Sequence, residues 1–279
     1  MRQNYKMILQ YEGTRYNGWQ RQGNTADTIQ GKLEAVLGRM AGEPVEIHGS
    51  GRTDAGVHAS GQVANFYLPE ELEIPQIPES AKPENMKPEG MKQESAKHAR
   101  TRRTDQIREY LNFYLPEDIA VLSVEEVSER FHSRLNAVRK IYAYRIETGS
   151  RKNVFLRRTI YGLGQPLDVE AMEQAALLLI GTHDFKSFCG NKKMKKSTVR
   201  TIYSIDIRQE FGNSGVTLRF TGNGFLQNMV RILTGTLIEV GLHKRSWQSV
   251  HEILEAKDRQ MAGFTAPAEG LCLEHVFYS

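Results

Sequence analysis

The stretch from Gly49 to Phe66 sets an aspartate two residues after an arginine and between glycines, in the sequence GSGRTDAGVHASGQVANF. A carboxylate such as Asp54 can act as a nucleophile or as a base when burial and charged partners tune its pKa. The guanidinium of Arg52 is a cation that favours the ionised form of a nearby carboxylate. Glycines on either side allow a backbone or a ligand to approach closely. These features are typical of a functional site, and they are also compatible with an ordinary surface turn.

Several other chemistries lack their motifs in this sequence. The glycine-rich stretch does not end in Gly-Lys-Ser/Thr, so it is not a phosphate-binding P-loop. There is no His-Glu-x-x-His pattern and no G-x-S-x-G nucleophile turn. The two cysteines, Cys189 and Cys272, are far apart and form no C-x-x-C pair. The residues therefore give no support for a metal site or a disulfide framework.

The charge of the chain permits a polyanionic partner. The formal net charge is +4 and the sequence pI is about 8.9. The densest basic cluster is NKKMKKSTVR, from Asn191 to Arg200. It is either a solvated loop or a phosphate contact, and the sequence does not distinguish the two. No apolar run approaches the roughly 20 residues of a membrane helix, and the first residues lack the apolar core of a secretory signal, so we expect a cytoplasmic protein.

The elements around Asp54 indicate a mixed fold. The segment DTIQGKLEAVLGRMAG has apolar residues at helical spacing, with Asp27 as a plausible N-cap and Gly42 as the stop. PVEIHGS and QVANFYL predict strands on either side of the Asp54 loop, and FLQNMVRILTGTLIEVG predicts a later helix that ends at Gly241. Loosely alternating helices and strands with hairpin-like neighbours predict an α+β fold with a largely antiparallel sheet.

One segment, Pro69 to Arg103, differs in character from the rest of the chain. It contains five of the nine prolines and no aromatic residue. It cannot bury enough apolar surface to offset the entropy of ordering, so we interpret it as a flexible insertion. An alternative is a charged arm that grips RNA through Lys97 to Arg103.

Seven blocks of the sequence carry a family resemblance. The Asp54 stretch resembles the catalytic motif of the TruA family of tRNA pseudouridine synthases, and the resemblance spans essentially the whole chain outside residues 69–103. Before the Asp54 stretch, YEGTRYNGWQRQ followed by TIQGKLEAVL resembles the N-terminal signature of the family. The later blocks come in the order of the family: LNFYLPEDIAV, FHSRLNAVRKIYAYRI, GTHDFKSF, GNGFLQNMVRILTGTLIEVG and TAPAEGLCLEHVFY.

The resemblance implies a fold and an activity. The fold would be two similar α+β halves that form one mainly antiparallel sheet, with flanking helices and a central cleft. An N-terminal half, 1–127, would carry the catalytic Asp loop and the insertion 69–103, and 128–279 would form the C-terminal half. The activity would be the isomerisation of uridine to pseudouridine at positions 38–40 of the tRNA anticodon stem-loop, after flipping of the base. The enzyme would need no metal or organic cofactor, and it would be a homodimer.

The resemblance also implies roles for four residues. Asp54 would be the essential carboxylate, and Arg52 would contact the RNA or help to flip the target nucleotide. Tyr142 would stack on the uracil, and Arg231 would pair with Asp54 and hold it ionised. Each residue also has a purely structural interpretation: Arg52 could bridge a neighbouring turn, and Tyr142 could be a core residue. His58 is equally compatible with a structural turn and with an RNA contact.

Two alternative functions remain compatible with the sequence. One is an RNA-binding protein that keeps the fold without the chemistry. The other is the same isomerisation on a different RNA, such as ribosomal RNA.

Overall fold

Ten strands and five helices make up the regular structure of the part of the chain that the structure describes. The computed structural model describes residues 1–78, 96–151, 153–191, 193–210 and 214–278, with 96–101 described for their backbone alone. The strands are β1 (Arg2–Tyr11), β2 (Ile47–Gly49), β3 (His58–Pro69), β4 (Ile119–Val127), β5 (Ala137–Glu147), β6 (Tyr161–Gly162), β7 (Gly181–Asp184), β8 (Val199–Glu210), β9 (Gly215–Gly222) and β10 (Leu271–Tyr278). The helices are α1 (Ile29–Ala41), α2 (Ala96–Tyr114), α3 (Val169–Leu177), α4 (Met229–Gly241) and α5 (Ser249–Ala256).

The chain divides into two compact units that interleave along the sequence. The first unit consists of Met1–Tyr11, Trp19–Arg52 and Gln62–Asn136. The second consists of Glu12–Gly18, Thr53–Gly61 and Ala137–Ser279. Two short N-terminal segments therefore pack with the C-terminal part of the chain. The consecutive halves 1–127 and 128–279 stay a prediction.

The first unit packs helices α1 and α2 with antiparallel strands. Its strand order is β4-β1-β3, and β2 also pairs with β3. The buried face of α1 carries Ile29, Leu33, Leu37 and Met40, which is the spacing of one helical stripe. Their burial removes apolar surface from water and holds α1 in place.

The second unit contains the beginning of β3 and the six strands β5 to β10. His58 and Ala59 of β3 pair in parallel with β10, and the order continues β10-β5-β9-β8-β7 through antiparallel pairs. Strand β6 pairs in parallel with β5. Helix α4 is buried along almost its whole length. The predicted α+β class and the largely antiparallel pairing are confirmed, with β3–β10 and β5–β6 as the parallel exceptions.

Two element boundaries differ from the sequence predictions. Helix α1 is capped by Thr28, whose side chain accepts a hydrogen bond from the backbone N–H of Gly31, so the prediction of Asp27 as the N-cap was wrong. Asp27 instead forms an ion pair with Lys32. Helix α4 begins at Met229, not at Phe225, although its end at Gly241 agrees with the prediction.

The segment interpreted as a flexible insertion is ordered at its two ends. Helix α2 begins at Ala96, and Arg103 donates hydrogen bonds to the carbonyls of Leu72 and Pro69 at 2.8 Å each and to the Tyr5 hydroxyl at 2.9 Å. Residues 79–95, on which that interpretation mainly rests, lie outside the described residues. No helix of the described chain has both the length and the apolar character needed to cross a membrane.

Candidate active site

Asp54 lies on a tight turn of the second unit, just before strand β3. Its carbonyl accepts a hydrogen bond from the N–H of Val57 at 3.2 Å. Gly56 has a φ of +77°, a conformation that favours glycine, and its N–H donates to the carbonyl of Tyr16 at 3.2 Å. The turn is therefore bonded both within itself and to the segment Glu12–Gly18.

Two glycines of that segment allow the backbone to lie directly against the Asp54 turn. A Cβ atom on Gly13 would stand 2.1 Å from the carbonyl oxygen of Val57. A Cβ atom on Gly18, whose φ is +86°, would stand 2.6 Å from the carbonyl oxygen of Thr53. The block YEGTRYNGW thus supports the turn that carries Asp54, and side chains at these two positions would push the turn away.

The carboxylate of Asp54 faces the guanidinium of Arg231. Nη1 of Arg231 is 3.9 Å from Oδ2 of Asp54, and both side chains are partly buried. Other contacts fix the guanidinium, because Nε donates to the carbonyl of Ala266 at 2.7 Å and Nη1 donates to Oδ1 of Asn228 at 3.1 Å. The structure therefore brings Asp54 and Arg231 together, with the arginine held independently of the carboxylate.

Two opposing effects act on the pKa of Asp54. Burial is the larger effect and raises the pKa above its usual value, since it penalises the charged form. The positive charge of Arg231 is the smaller effect and lowers the pKa. The balance leaves the pKa raised, so Arg231 offsets only part of the cost of burying the charge. A carboxylate in this setting is a stronger base than an exposed one.

Asn228 is a residue that the sequence analysis did not single out. It precedes α4 with a φ of +58°, and this left-handed conformation explains why the helix begins at Met229. Its Oδ1 atom accepts the hydrogen bond from Arg231. The available signal was an asparagine within the block FLQNMVRIL, because asparagine is enriched in this conformation.

Arg52 belongs to the first unit, where it is exposed and held by a chain of amides. Its Nε donates to Oε1 of Gln20 at 2.9 Å, and Nε2 of Gln20 donates to Oε1 of Gln30 at 3.0 Å. Gln30 is buried and donates in turn to Oε1 of Glu34 at 2.7 Å. Gln20 is thus a second residue that sequence reasoning missed, although it stands in the quoted block YEGTRYNGWQRQ.

Tyr142 lies within strand β5 and is largely buried. It is opposite Leu273 of β10, which is opposite Ala59, five residues after Asp54. Its ring meets the ring of Phe225 edge to face, with the centroids 5.3 Å apart. Only 8% of the residue is exposed, so its packing resembles that of a core residue with a small accessible part.

His58 directly follows the same turn and contacts two backbone groups. Its Nδ1 accepts a hydrogen bond from the N–H of Gly13 at 3.0 Å, so the proton is on Nε2, which contacts the carbonyl of Glu269 at 3.1 Å. Burial lowers the pKa of the imidazole and favours the neutral form. Of the two interpretations that the sequence left open, these contacts favour the structural one.

Metal-ligating groups are not assembled in the described part of the chain. No three side chains of His, Cys, Asp or Glu type are grouped there as a metal ion would require. Cys189 and Cys272 are both buried and free.

Comparison with known proteins gives a consistent result over nearly the whole chain. A family model described as tRNA pseudouridine synthase matches residues 7–136 and 175–279. The chain is 43% identical over 273 residues to tRNA pseudouridine synthase A 2 of Bacillus cereus (strain ZK / E33L), with 98% of each chain covered. It is 44% identical over 275 residues to tRNA pseudouridine synthase A of Bacillus sp. (strain KSM-64), and 41% identical over 275 residues to that of Clostridium kluyveri, with 99% of each chain covered in both cases.

Proposed function

The chain belongs to the tRNA pseudouridine synthase family, and we propose that it isomerises uridine to pseudouridine at positions 38–40 of the tRNA anticodon stem-loop with Asp54 as the essential carboxylate. In this reaction the bond between C1′ of the ribose and N1 of uracil breaks, and a bond between C1′ and C5 forms. The hydrogen on C5 leaves as a proton, and N1 gains a proton. The reaction is therefore balanced without an oxidant or a reductant.

One observation carries this assignment, namely the half-buried carboxylate of Asp54 on a fixed turn opposite a fixed arginine. Its position does not depend on a flexible side chain alone, because the backbone of the turn is bonded to itself and to Tyr16. A catalytic group needs this kind of preorganisation, since misplacement by about 1 Å can cost about 100-fold in rate.

Arg231 would favour the charged form of the partly buried carboxylate of Asp54, because its positive charge lowers the pKa of that group. Its guanidinium is 3.9 Å away and is bonded to Ala266 and Asn228. It can therefore stay in place while Asp54 engages the substrate. A freely moving cation would instead close onto the carboxylate and compete with the substrate for it.

Arg52 and Tyr142 are proposed to handle the flipped nucleotide. A uridine stacked in a helical stem is out of reach of a side chain in a pocket, so it must leave the stack. Arg52 is exposed, and its Nε donates a hydrogen bond to Gln20, which orients the guanidinium. Its two terminal nitrogens would then bind a phosphate or occupy the position that the flipped base leaves. Tyr142 would contact the uracil through its small accessible part.

The test of this function is the release of tritium from tRNA that carries [5-³H]uridine. The wild type, Asp54→Asn and Asp206→Asn are compared without added metal, where Asp206 supplies an exposed aspartate of the same unit. We expect release by the wild type and by Asp206→Asn, and a loss of at least about 1,000-fold in Asp54→Asn, as is typical for removal of an essential group. Mapping of the modified positions then identifies the uridines.

Three results would contradict parts of the proposal. Normal turnover by Asp54→Asn would remove Asp54 from the chemistry. Binding of tRNA by the wild type without tritium release would favour an RNA-binding protein. Release from ribosomal RNA but not from tRNA would keep the chemistry and change the substrate.

The assembly and location of the protein are also proposals. We propose a homodimer in the cytoplasm, as the resemblance to the family implies. Each copy of the homodimer would then carry one Asp54 site.

A further inference from the structure

A groove of about 580 Å³ lies in the second unit beside the basic cluster of residues 191–200. We call it the basic groove. Two carboxylates, Asp184 and Asp258, line it together with five cationic side chains: Lys186, Lys195, Lys196, Lys257 and Arg259.

The carboxylates of the basic groove are already engaged. Asp184 accepts hydrogen bonds from the hydroxyl of Thr198 and the N–H of Lys186, and its carboxylate is 3.8 Å from Nζ of Lys257. Asp258 accepts a hydrogen bond from the N–H of Gln260 at 3.0 Å. Both carboxylates are thus bonded to other residues of the chain. The five cationic side chains of the lining exceed the two carboxylates by three.

Lys195 and Lys196 supply uncompensated charge at the groove. Both are exposed, and within the described part of the chain neither ammonium group has an ion-pair partner. Ammonium groups of this kind bind phosphate oxygens as point charges, and they release counterions from a nucleic acid when they do so.

One wall of the basic groove is connected to the Asp54 site through Gly190. This glycine lies between two groove residues, Cys189 and Asn191, and its N–H donates to the carbonyl of Gln227 at 2.8 Å. A Cβ atom on Gly190 would stand 2.6 Å from Nδ2 of Asn228. Asn228 in turn accepts the hydrogen bond from Arg231, so this wall packs against the support of the catalytic ion pair.

Another lining residue of the groove, Arg259, is close in sequence to a second contact of the same arginine. Arg259 is fixed by hydrogen bonds to the carbonyls of Ala262 and Gly263 and to Oγ1 of Thr265. The next residue, Ala266, accepts the hydrogen bond from Nε of Arg231. Two parts of the groove lining are therefore linked to residues that bind Arg231, one through the contact of Gly190 with Asn228 and one through Thr265 and Ala266.

From this position we propose that the basic groove binds backbone phosphates of the RNA strand next to the target uridine. The proposal rests on the proposed function for the identity of the RNA. A strand whose uridine has entered the Asp54 site has further phosphates on both sides of that uridine, and the groove offers uncompensated positive charge in a part of the chain that contacts the residues holding Arg231. Lys195 and Lys196 would contact the phosphates, and Arg259 would form a rigid part of the surface.

The test measures how tRNA binding depends on salt. Lys195→Ala/Lys196→Ala is made in the Asp54→Asn background, so that no turnover occurs during the titration. The control is Arg208→Ala/Lys244→Ala in the same background, because it removes two exposed cations of the same unit that do not line the groove. Dissociation constants are measured over a series of KCl concentrations, and melting temperatures verify that both variants are folded.

We expect the groove variant to bind tRNA about tenfold or more weakly near 0.1 M KCl, with a slope of log K against log [KCl] that is shallower by about 1.4 to 1.8. The control slope should match that of the parent. With Asp54 restored, the groove variant should release tritium at saturating tRNA within about twofold of the wild-type rate, because phosphate contacts contribute to binding more than to the chemical step.

Two outcomes overturn the proposal. A slope equal to that of the control would show that the groove contacts no phosphate. A fall in kcat as large as the fall in kcat/KM would assign the lysines to the chemistry. Failure of the proposed function is a separate result, because it would appear as absence of tritium release by the wild type whatever the salt slopes are.

Discussion

Asp54 combines two requirements that oppose each other. Close packing of its turn against the segment Glu12–Gly18 fixes its position, and the partial burial of its carboxylate penalises the charge. Arg231 reduces that penalty without removing it. A group whose environment disfavours its charged form is unfavourable for stability, and such groups are concentrated at functional sites.

The first prediction concerns the stability of the Asp54→Asn variant as a function of pH. The pKa of Asp54 is raised in the folded state, so the folded state binds this proton more tightly than the unfolded state does. Stability is therefore lost as pH rises from the unfolded pKa through the raised folded pKa. Because asparagine carries no charge, we expect Asp54→Asn to melt about 1 °C or more above the wild type at pH 7. This advantage should disappear near pH 3.

The control for this prediction is Asp206→Asn, which removes an exposed carboxylate. Its melting temperature should follow that of the wild type at both pH values. A lower melting temperature of Asp54→Asn at pH 7 would contradict the prediction, because it would mean that the attraction of Arg231 outweighs the burial of the charge.

At the scale of elements, short connections decide the geometry of the site. The turn before β3, the segment before α1 and the turn before α4 contribute Asp54, Gly18 and Asn228 respectively. Gly18 and Asn228 both have a positive φ, which allows the chain to reverse sharply beside the carboxylate and beside its arginine. Each of these connections is positioned by the helix or strand that follows it: β3, α1 and α4 respectively.

A glycine exchange tests this dependence. Gly18→Ala places a Cβ atom 2.6 Å from the carbonyl oxygen of Thr53 and requires a left-handed alanine. We expect a loss of about 1–3 kcal/mol in the free energy of unfolding and a clear fall in kcat, because the Asp54 turn must shift. Chemical denaturation and tritium release measure the two effects.

Gly23→Ala is the matched control, since no atom lies within 4 Å of a Cβ at that position and its φ is not positive. It should leave stability and activity nearly unchanged. If Gly18→Ala behaved like Gly23→Ala, the close approach of the two backbones would not be what positions Asp54.

At the scale of the whole molecule, two segments of the N-terminal region belong to the second unit. Glu12–Gly18 and Thr53–Gly61 are separated by 34 residues of the first unit, and both return to pack with the C-terminal part of the chain. Asp54 and Arg231, which are 177 positions apart, therefore meet within one unit. The charge at this scale is +4, and the basic groove concentrates part of it next to the site.

The proposed homodimer gives a prediction at the same scale. Light scattering coupled to size-exclusion chromatography should give a mass close to twice the chain mass of 31.7 kDa. The measurement is repeated across a dilution series, because a weak association would dissociate. A mass of one chain at all concentrations would contradict the proposed assembly.

Local sequence patterns predicted the elements better than their ends. The spacing of Ile29, Leu33 and Leu37 predicted helix α1 correctly, because residues at this spacing lie on one face of a helix and that face is buried. Its cap was misassigned because Asp27 and Thr28 are both good capping residues, and the choice between them depends on the path of the preceding chain. The start of α4 was missed because Asn228 adopts a left-handed conformation, which ends the helical geometry before Met229 although the neighbouring residues have helical spacing.

The sequence by itself determined the α+β class and the family, together with the candidates Asp54, Arg52, Tyr142 and Arg231. Composition, periodicity and ordered motifs carry that information along the chain. Only the tertiary structure decided that burial raises the pKa of Asp54 more than Arg231 lowers it. It also decided that the His58 imidazole contacts the backbone of Gly13 and Glu269, and that Gln20 and Asn228 bind the two arginines. These properties depend on distances between residues that are remote in sequence, and on the exclusion of water by groups that meet only when the chain has folded.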